Sequence, residues 1–438
     1  MPTSSPRKLG LFLATMFVTG NMVGSGLFLL PASMGTLGGI SIFSWLLATA
    51  GALLIAGMFA RLGSLAPWAG GPYAYARATL GPYVGFQTNY IYWLACWVGN
   101  VAIALVITGY LSDFIPSLRT PLGAACGTAA VLWAGTLLNI LGPRAVGGSG
   151  ALALFLGLGP ILAIAVLGWF WFDPTIFAAS WNVSGKPMGE AVPGALVLVF
   201  WAFLGIETAA VAAEVVEHPR RNLPIAVIAG VCIAAVVYAA SCTVLMGILP
   251  AGTLAASPSP FALVAGRLFG PLAAVLVGIA AIIKTAGSLG GWVLVCASTA
   301  KAAADDGSFP ALFGRVDARG IPVINLLVHG VLMTLVVFAT ISPTLSQQFS
   351  RLVDVTVVFT LVIYLYSALA LFRLAPAGHP GAWRDRALAV SAATFAGWVM
   401  LASDRTLLLV ALAIMATSAP VYWLFERRRV LAGVRAGG

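Results

Sequence analysis

Charge is what this 438-residue chain has least of: only 8% of its residues are Asp, Glu, Lys or Arg, against 61% hydrophobic. Mean hydropathy is +1.01. A soluble domain of this length has too little interior for that much apolar surface, so a soluble fold is excluded. Cysteine is also sparse. Cys96, Cys126, Cys232, Cys242 and Cys296 all fall in apolar stretches and form no CxxC pair, which excludes a disulfide framework and reads them as small packing residues. His218, His329 and His379 are scattered with no ligand spacing, so no metal centre is expected. No Ser/His/Asp set, phosphate loop or nucleotide motif is present, which leaves an enzyme or a cofactor without support. "MPTSSPRK" is short and leads directly into an apolar run, so no cleavable signal is expected.

What remains is long apolar runs. A span needs about 20 residues, and twelve can be placed, near 10–32, 40–65, 83–112, 122–142, 150–172, 192–216, 223–249, 270–302, 322–341, 352–373, 387–402 and 406–425. The fold class is therefore an all-α polytopic membrane protein of one domain, with the lipid bilayer as its first partner. The net charge of +10 fits this topology rather than nucleic acid. With the N-terminus inside, 17 of the 23 Lys and Arg fall on cytoplasmic segments and Lys284 falls within a span. Five lie outside: Arg119, Lys186, Arg267, Arg351 and Arg405. That bias predicts both termini in the cytoplasm.

Two spans carry small, polar patches where lipid gives the backbone no partner: "GNMVGSG" at 20–26 and "FLGIET" at 203–208. One reading is a small-residue packing face. The other is a helix broken on purpose, to which Asn21 and Pro31 add weight. The patches lie in the first and sixth spans, five apart, so their helices run in opposite directions. That position predicts two inverted five-span repeats, about 10–172 and 192–373, with two helices at 387–425 appended. A broken helix offers N–H groups to a carboxylate and C=O groups to an ammonium. Two antiparallel breaks would clamp the zwitterionic end of an amino acid, with Gly24, Ser25 and Gly26 admitting it closely.

Trp201 and Trp292 fall mid-span, either as packing or as faces for a cation. Intramembrane charge is the rarest signal. Glu207 sits at the sixth-span patch and is the foremost functional candidate. Glu214 follows on nearly the same face, unless it belongs to the interface. Lys284 either snorkels to the outer interface or lines the entry path. Glu214 and Lys284 are the candidates for proton coupling. "ADDG" at 304–307 lacks the second acidic cluster a metal would need and reads as a helix end.

The stretches "GNMVGSGLFLLPA", "GGPYAYARATLGPYVGFQTNYIYWLACWVGN", "WAFLGIETAAVAAEVVEHPRRNLPIA" and "GSLGGWVLVCASTAKAAADDG" resemble the amino acid–polyamine–organocation transporters. The chain is most similar to the bacterial basic amino acid/polyamine antiporters, with "NYIYWLACW" pointing to those that exchange arginine for agmatine. The resemblance runs from about residue 8 to 425. It implies a twelve-span inverted-repeat fold with broken helices 1 and 6, usually a homodimer, in the bacterial inner membrane. It also implies exchange of small-molecule substrates by alternating access.

Carried over, the substrate carboxylate meets Ser25 and Gly26, and its α-amine meets the carbonyls of Met22, Trp201 and Leu204. Ala95, Cys96 and Asn100 face the side chain; Trp292 stacks on its charged end and forms a middle gate. Trp201 closes the outer side, and Tyr92, Glu207 and Tyr364 form an inner gate. Ile103 stands where the resemblance expects methionine and Thr356 where it expects serine. Lys284 and Glu214 stand where it expects small residues, which draws the cationic substrate into question. The alternatives are the lysine/cadaverine or ornithine/putrescine pair, a proton-coupled carrier of neutral amino acids, or a membrane sensor that binds without transport.

Overall fold

A computed structural model describes residues 10–24, 26–66, 70–208, 216–375 and 381–424. Among them the chain is built from helices. Ser25 and Glu214 lie outside the described residues.

The first apolar run is two helices, α1 (Leu11–Met22) and α2 (Gly26–Gly35). Next come α3 (Ser41–Leu65), the short α4 (Pro72–Leu80), α5 (Pro82–Leu111), α6 (Pro121–Leu141) and α7 (Pro143–Leu167). The sixth run begins as α8 (Met188–Gly194) and α9 (Leu196–Phe200), tightens at Trp201–Phe203 and then turns. Beyond it lie α10 (Pro219–Ile248), α11 (Pro260–Phe269), α12 (Pro271–Asp305), α13 (Val323–Ala339), α14 (Leu345–Leu374), α15 (Ala382–Ala402) and α16 (Arg405–Ala416). Proline opens α4 to α7 and α10 to α12, where its missing N–H would have no helical partner anyway.

Seven helices among the described residues are long and apolar enough to cross a membrane, including α3, α5, α6, α12 and α14. Shorter apolar helices, among them Gly26–Gly35, Leu156–Trp171, Met188–Phe203 and Val323–Ala339, fall in others of the predicted runs. In its most apolar window α5 is 83% buried, which puts it at the centre. The same measure for Arg405–Leu424 is 11%, which puts that helix at the edge. Around α5 pack α12 and α14, and α12 in turn lies along α7.

The "ADDG" end of α12 is a structural anchor. Asp306 accepts hydrogen bonds from Tyr73 and from Arg77 of α4 (2.9 Å for the latter). Burial, then the bond to Asp306, pushes the Tyr73 hydroxyl up to about 12.

Both interruptions are held by one residue of α10. Val23 closes α1 on the Thr19 carbonyl, and Gly24 N–H bonds back to the Met22 carbonyl at 2.7 Å. That same carbonyl accepts the Tyr238 hydroxyl at 2.8 Å. The Tyr238 ring stacks on Trp45 of α3 and meets Phe203 edge-on at 6.4 Å. One side chain thus supplies the donor that lipid cannot give to the first break and packs against the second. Tyr238→Phe keeps the stack and removes the donor. It should lower stability by about 1 kcal/mol, read as a lower melting temperature in detergent; an unchanged melt would contradict this role.

Pro31 corrects the sequence reading. It lies inside α2, five residues past the break, and is buried there. The backbone bonds that mark the break, at Val23 and Gly24, precede the proline and do not involve it.

Candidate functional site

Between the two breaks lies a cleft of about 550 Å³. Its first wall is the α1–α2 interruption, which presents Met22, Gly24 and Gly26. Its second is the sixth-run turn, with Trp201, Leu204 and Glu207. From α5 come Tyr92, Ala95, Cys96, Asn100 and Ile103; from α12 comes Trp292 and from α14 Thr356. Apart from Ser25 and Glu214, the structure gathers every predicted binding residue at one place. Gly99, Ser288 and Thr360 also line it and escaped the sequence reading. Two had a signal: Ser288 precedes Trp292 by four residues and Thr360 follows Thr356 by four, the spacing of one helix face.

Gly26 and Gly99 make room for Trp201. A Cβ built on Gly26 would sit 3.0 Å from Trp201 Cδ1, and one on Gly99 would sit 3.3 Å from Cη2. The indole reaches from Gly26, at its pyrrole end, to Gly99, at its benzo end, and meets Phe349 edge-on at 6.3 Å.

Glu207 is 2% exposed and carries three donors. Tyr364 Oη bonds to Oε2 at 2.5 Å, Gly205 N–H to the same oxygen at 3.1 Å, and Tyr92 Oη to Oε1 at 3.2 Å. The predicted trio of Tyr92, Glu207 and Tyr364 is therefore brought into contact. Gly205 has φ +105°, a conformation that only glycine adopts without strain. It lets the turn fold back so that its own N–H reaches Glu207. Its carbonyl is filled by Thr208, through N–H at 3.0 Å and Oγ1 at 2.6 Å.

The carbonyls that the resemblance offers to an α-amine differ in the bonds they already accept. The Met22 carbonyl already accepts from Tyr238 and Gly24. An incoming ammonium finds less competition at Leu204 and Trp201, whose carbonyl accepts only a longer 3.2 Å bond from Leu204 N–H.

Asn100 is 1% exposed, lines the cleft, and neither Oδ1 nor Nδ2 has a partner among the described residues. A buried primary amide with no partner is costly, so the site is built for a ligand that supplies one. Thr356 and Thr360 have spent their hydroxyl protons on Leu352 O and Thr356 O, at 2.8 and 2.9 Å. Toward the cleft they present acceptors.

Lys284 settles one alternative. It is 4% exposed and does not snorkel. Its ammonium donates to Ser288 Oγ at 3.1 Å, and Ser288 lines the cleft. Among the described residues no group of three or more His, Cys, Asp or Glu could hold a metal.

Two facing helix interruptions with a buried carboxylate and an unpartnered amide between them describe a carrier site, and comparison with known proteins gives its kin. Residues 9–424 match the amino acid permease family. The chain belongs to that family. The permease is 39% identical over 375 residues to the cadaverine/lysine antiporter of Escherichia coli strain K12, covering 84% of each chain. It is 35% identical to the putrescine transporter PotE of the same strain, covering 85% of this chain and 84% of that one. PotE of Haemophilus influenzae is 36% identical, covering 84% and 85%. These relatives are named as transporters, not enzymes, and the permease is likewise a multi-pass membrane protein rather than an enzyme. Their names fall on the lysine/cadaverine and putrescine side of the sequence reading, not on arginine and agmatine.

Proposed function

We propose that the permease exchanges a cationic amino acid for its decarboxylated amine by alternating access, with lysine/cadaverine or ornithine/putrescine ahead of arginine/agmatine. The observation that carries this is the unpartnered Asn100 amide in a cleft that Thr356 and Thr360 also line. Asn100 Oδ1 and the two hydroxyl oxygens make three acceptors. A terminal ammonium has three donors on a compact point charge, whereas a guanidinium has five in a flat fork. The count favours the ammonium, and the names of the relatives point the same way. Trp292 adds an indole for the cation, and Glu207 the opposite charge.

The reading includes twelve spans in two inverted repeats, with both termini cytoplasmic in a bacterial inner membrane. The five-span spacing of the two interrupted runs and the Lys/Arg bias support it. A homodimer is carried from the family resemblance.

Equilibrium binding to purified permease tests the substrate class. Lysine or ornithine should bind at least tenfold more tightly than arginine and leucine. Asn100→Ala should weaken lysine about tenfold, the worth of one hydrogen bond to a charged group, and leave leucine within twofold. Tightest binding of leucine would favour the neutral amino acid carrier; tightest binding of arginine would restore arginine/agmatine.

A further inference from the structure

The proposed exchange pairs two substrates that differ by one carboxylate, and a buried cation lies behind one wall of the cleft. Lys284 is buried in α12, where its only polar partner among the described residues is Ser288. None of the ion pairs among those residues includes it. A buried ammonium with a single hydroxyl for company is an exposed deficit of negative charge.

Its position is built into the packing. A Cβ on Gly157 of α7 would lie 2.2 Å from Lys284 Cβ, so α7 is bare where the lysine stem passes. On its other side the ammonium donates to Ser288, which lines the cleft. A Cβ on Gly24 would stand 3.6 Å from Ser288 Oγ. Lys284 Nζ, Ser288 Oγ and Gly24 therefore lie in sequence along one side of the cleft, next to Gly26 at the start of α2. Glu207, by contrast, lies across the cleft on the sixth-run turn. Among the described cleft-lining residues it is the only acid, so the cleft has a negative pole at Glu207 and a positive one behind Ser288.

We propose that Lys284 is a specificity-determining residue: its ammonium, held at Ser288 beside the α1–α2 break, acts through its charge and makes the site favour the partner that bears a carboxylate over the decarboxylated amine. A zwitterionic head places its carboxylate toward the α2 N-terminus and Lys284, and its ammonium toward the sixth-run carbonyls. An amine without that carboxylate brings only positive charge to the same wall and is repelled. This rests on the substrate reading above, but the charge rule needs only that the two ligands differ by the carboxylate.

The test is equilibrium binding to purified, full-length permease in detergent, with lysine and cadaverine as ligands, for wild type, Lys284→Met and Lys284→Gln. Gel-filtration profile and melting temperature establish which variants are folded. Wild type should bind lysine more tightly than cadaverine. In either folded variant the lysine-to-cadaverine affinity ratio should fall at least tenfold, mostly through tighter cadaverine. Ser288→Ala, which keeps the charge, should retain the preference for lysine. A ratio within twofold of wild type in a folded Lys284 variant would overturn the proposal. If wild type binds neither ligand, the substrate reading fails, and the same ratio is read with leucine and isopentylamine, which also differ by one carboxylate. There a tenfold fall upholds the charge rule, and an unchanged ratio or no binding of any of the four sinks it.

Discussion

Glu207→Gln should lower transport about a hundredfold in a protein that still folds. The two halves of that result come from the same three hydrogen bonds. Oε2 takes Tyr364 Oη and Gly205 N–H, and Oε1 takes Tyr92 Oη. Glutamine keeps its carbonyl oxygen at the doubly bonded position and turns its NH2 to Tyr92, whose hydroxyl rotates to accept. The turn at Gly205 therefore survives. The negative charge does not, and with it goes the only acidic side chain among the described residues that line the cleft. A unit charge about 6 Å from a cationic substrate, at an effective dielectric of about 20, is worth about 3 kcal/mol, or a factor of about 100. Uptake of labelled lysine into proteoliposomes reads it; activity within threefold of wild type would remove Glu207 from the mechanism.

Gly26→Val produces a second loss of similar size by a different route. A single Cβ on Gly26 meets Trp201 Cδ1 at 3.0 Å, Leu30 Cδ1 at 3.3 Å and Trp201 Nε1 at 3.4 Å. Alanine therefore asks the indole to shift by a few tenths of an ångström. Valine adds two methyl groups where there is no space, and Gly99 already brings α5 against the far side of the same ring. Trp201 has to leave its position between the breaks. Transport should fall about tenfold for Gly26→Ala and a hundredfold or more for Gly26→Val, a graded series that a merely flexible glycine would not give. Gly189→Ala is the control, since a Cβ there meets nothing within 4 Å. Equal effects of Ala and Val at Gly26 would contradict the steric account.

How far these sites were legible in the sequence differs by residue. The interruptions at 20–26 and 203–208 were visible because lipid punishes uncovered backbone, so small and polar residues in an apolar run stand out. Glu207 was visible for the same reason. Asn100, Thr356 and Tyr364 came only through the family resemblance, since nothing in the local pattern of α5 or α14 separates them from packing residues. Tyr238 was missed entirely. Its hydroxyl meets Met22 from 216 residues away, and only tertiary packing makes that pair. Pro31 was overvalued because a proline near a break looks causal, while its place inside α2 is set by the glycines before it. For Lys284 a helical count gave the depth but not the partner. The bare surface of Gly157 is what lets the side chain stay inside.

The account turns on obligate exchange through this cleft. The decisive measurement is uptake of labelled lysine into proteoliposomes loaded with cadaverine, with lysine, or with buffer alone, for wild type and Trp292→Ala. The prediction is rapid uptake against internal cadaverine or lysine, almost none against buffer, and loss of uptake in Trp292→Ala. Equal uptake into empty and loaded vesicles, or full uptake without the Trp292 indole, would contradict it.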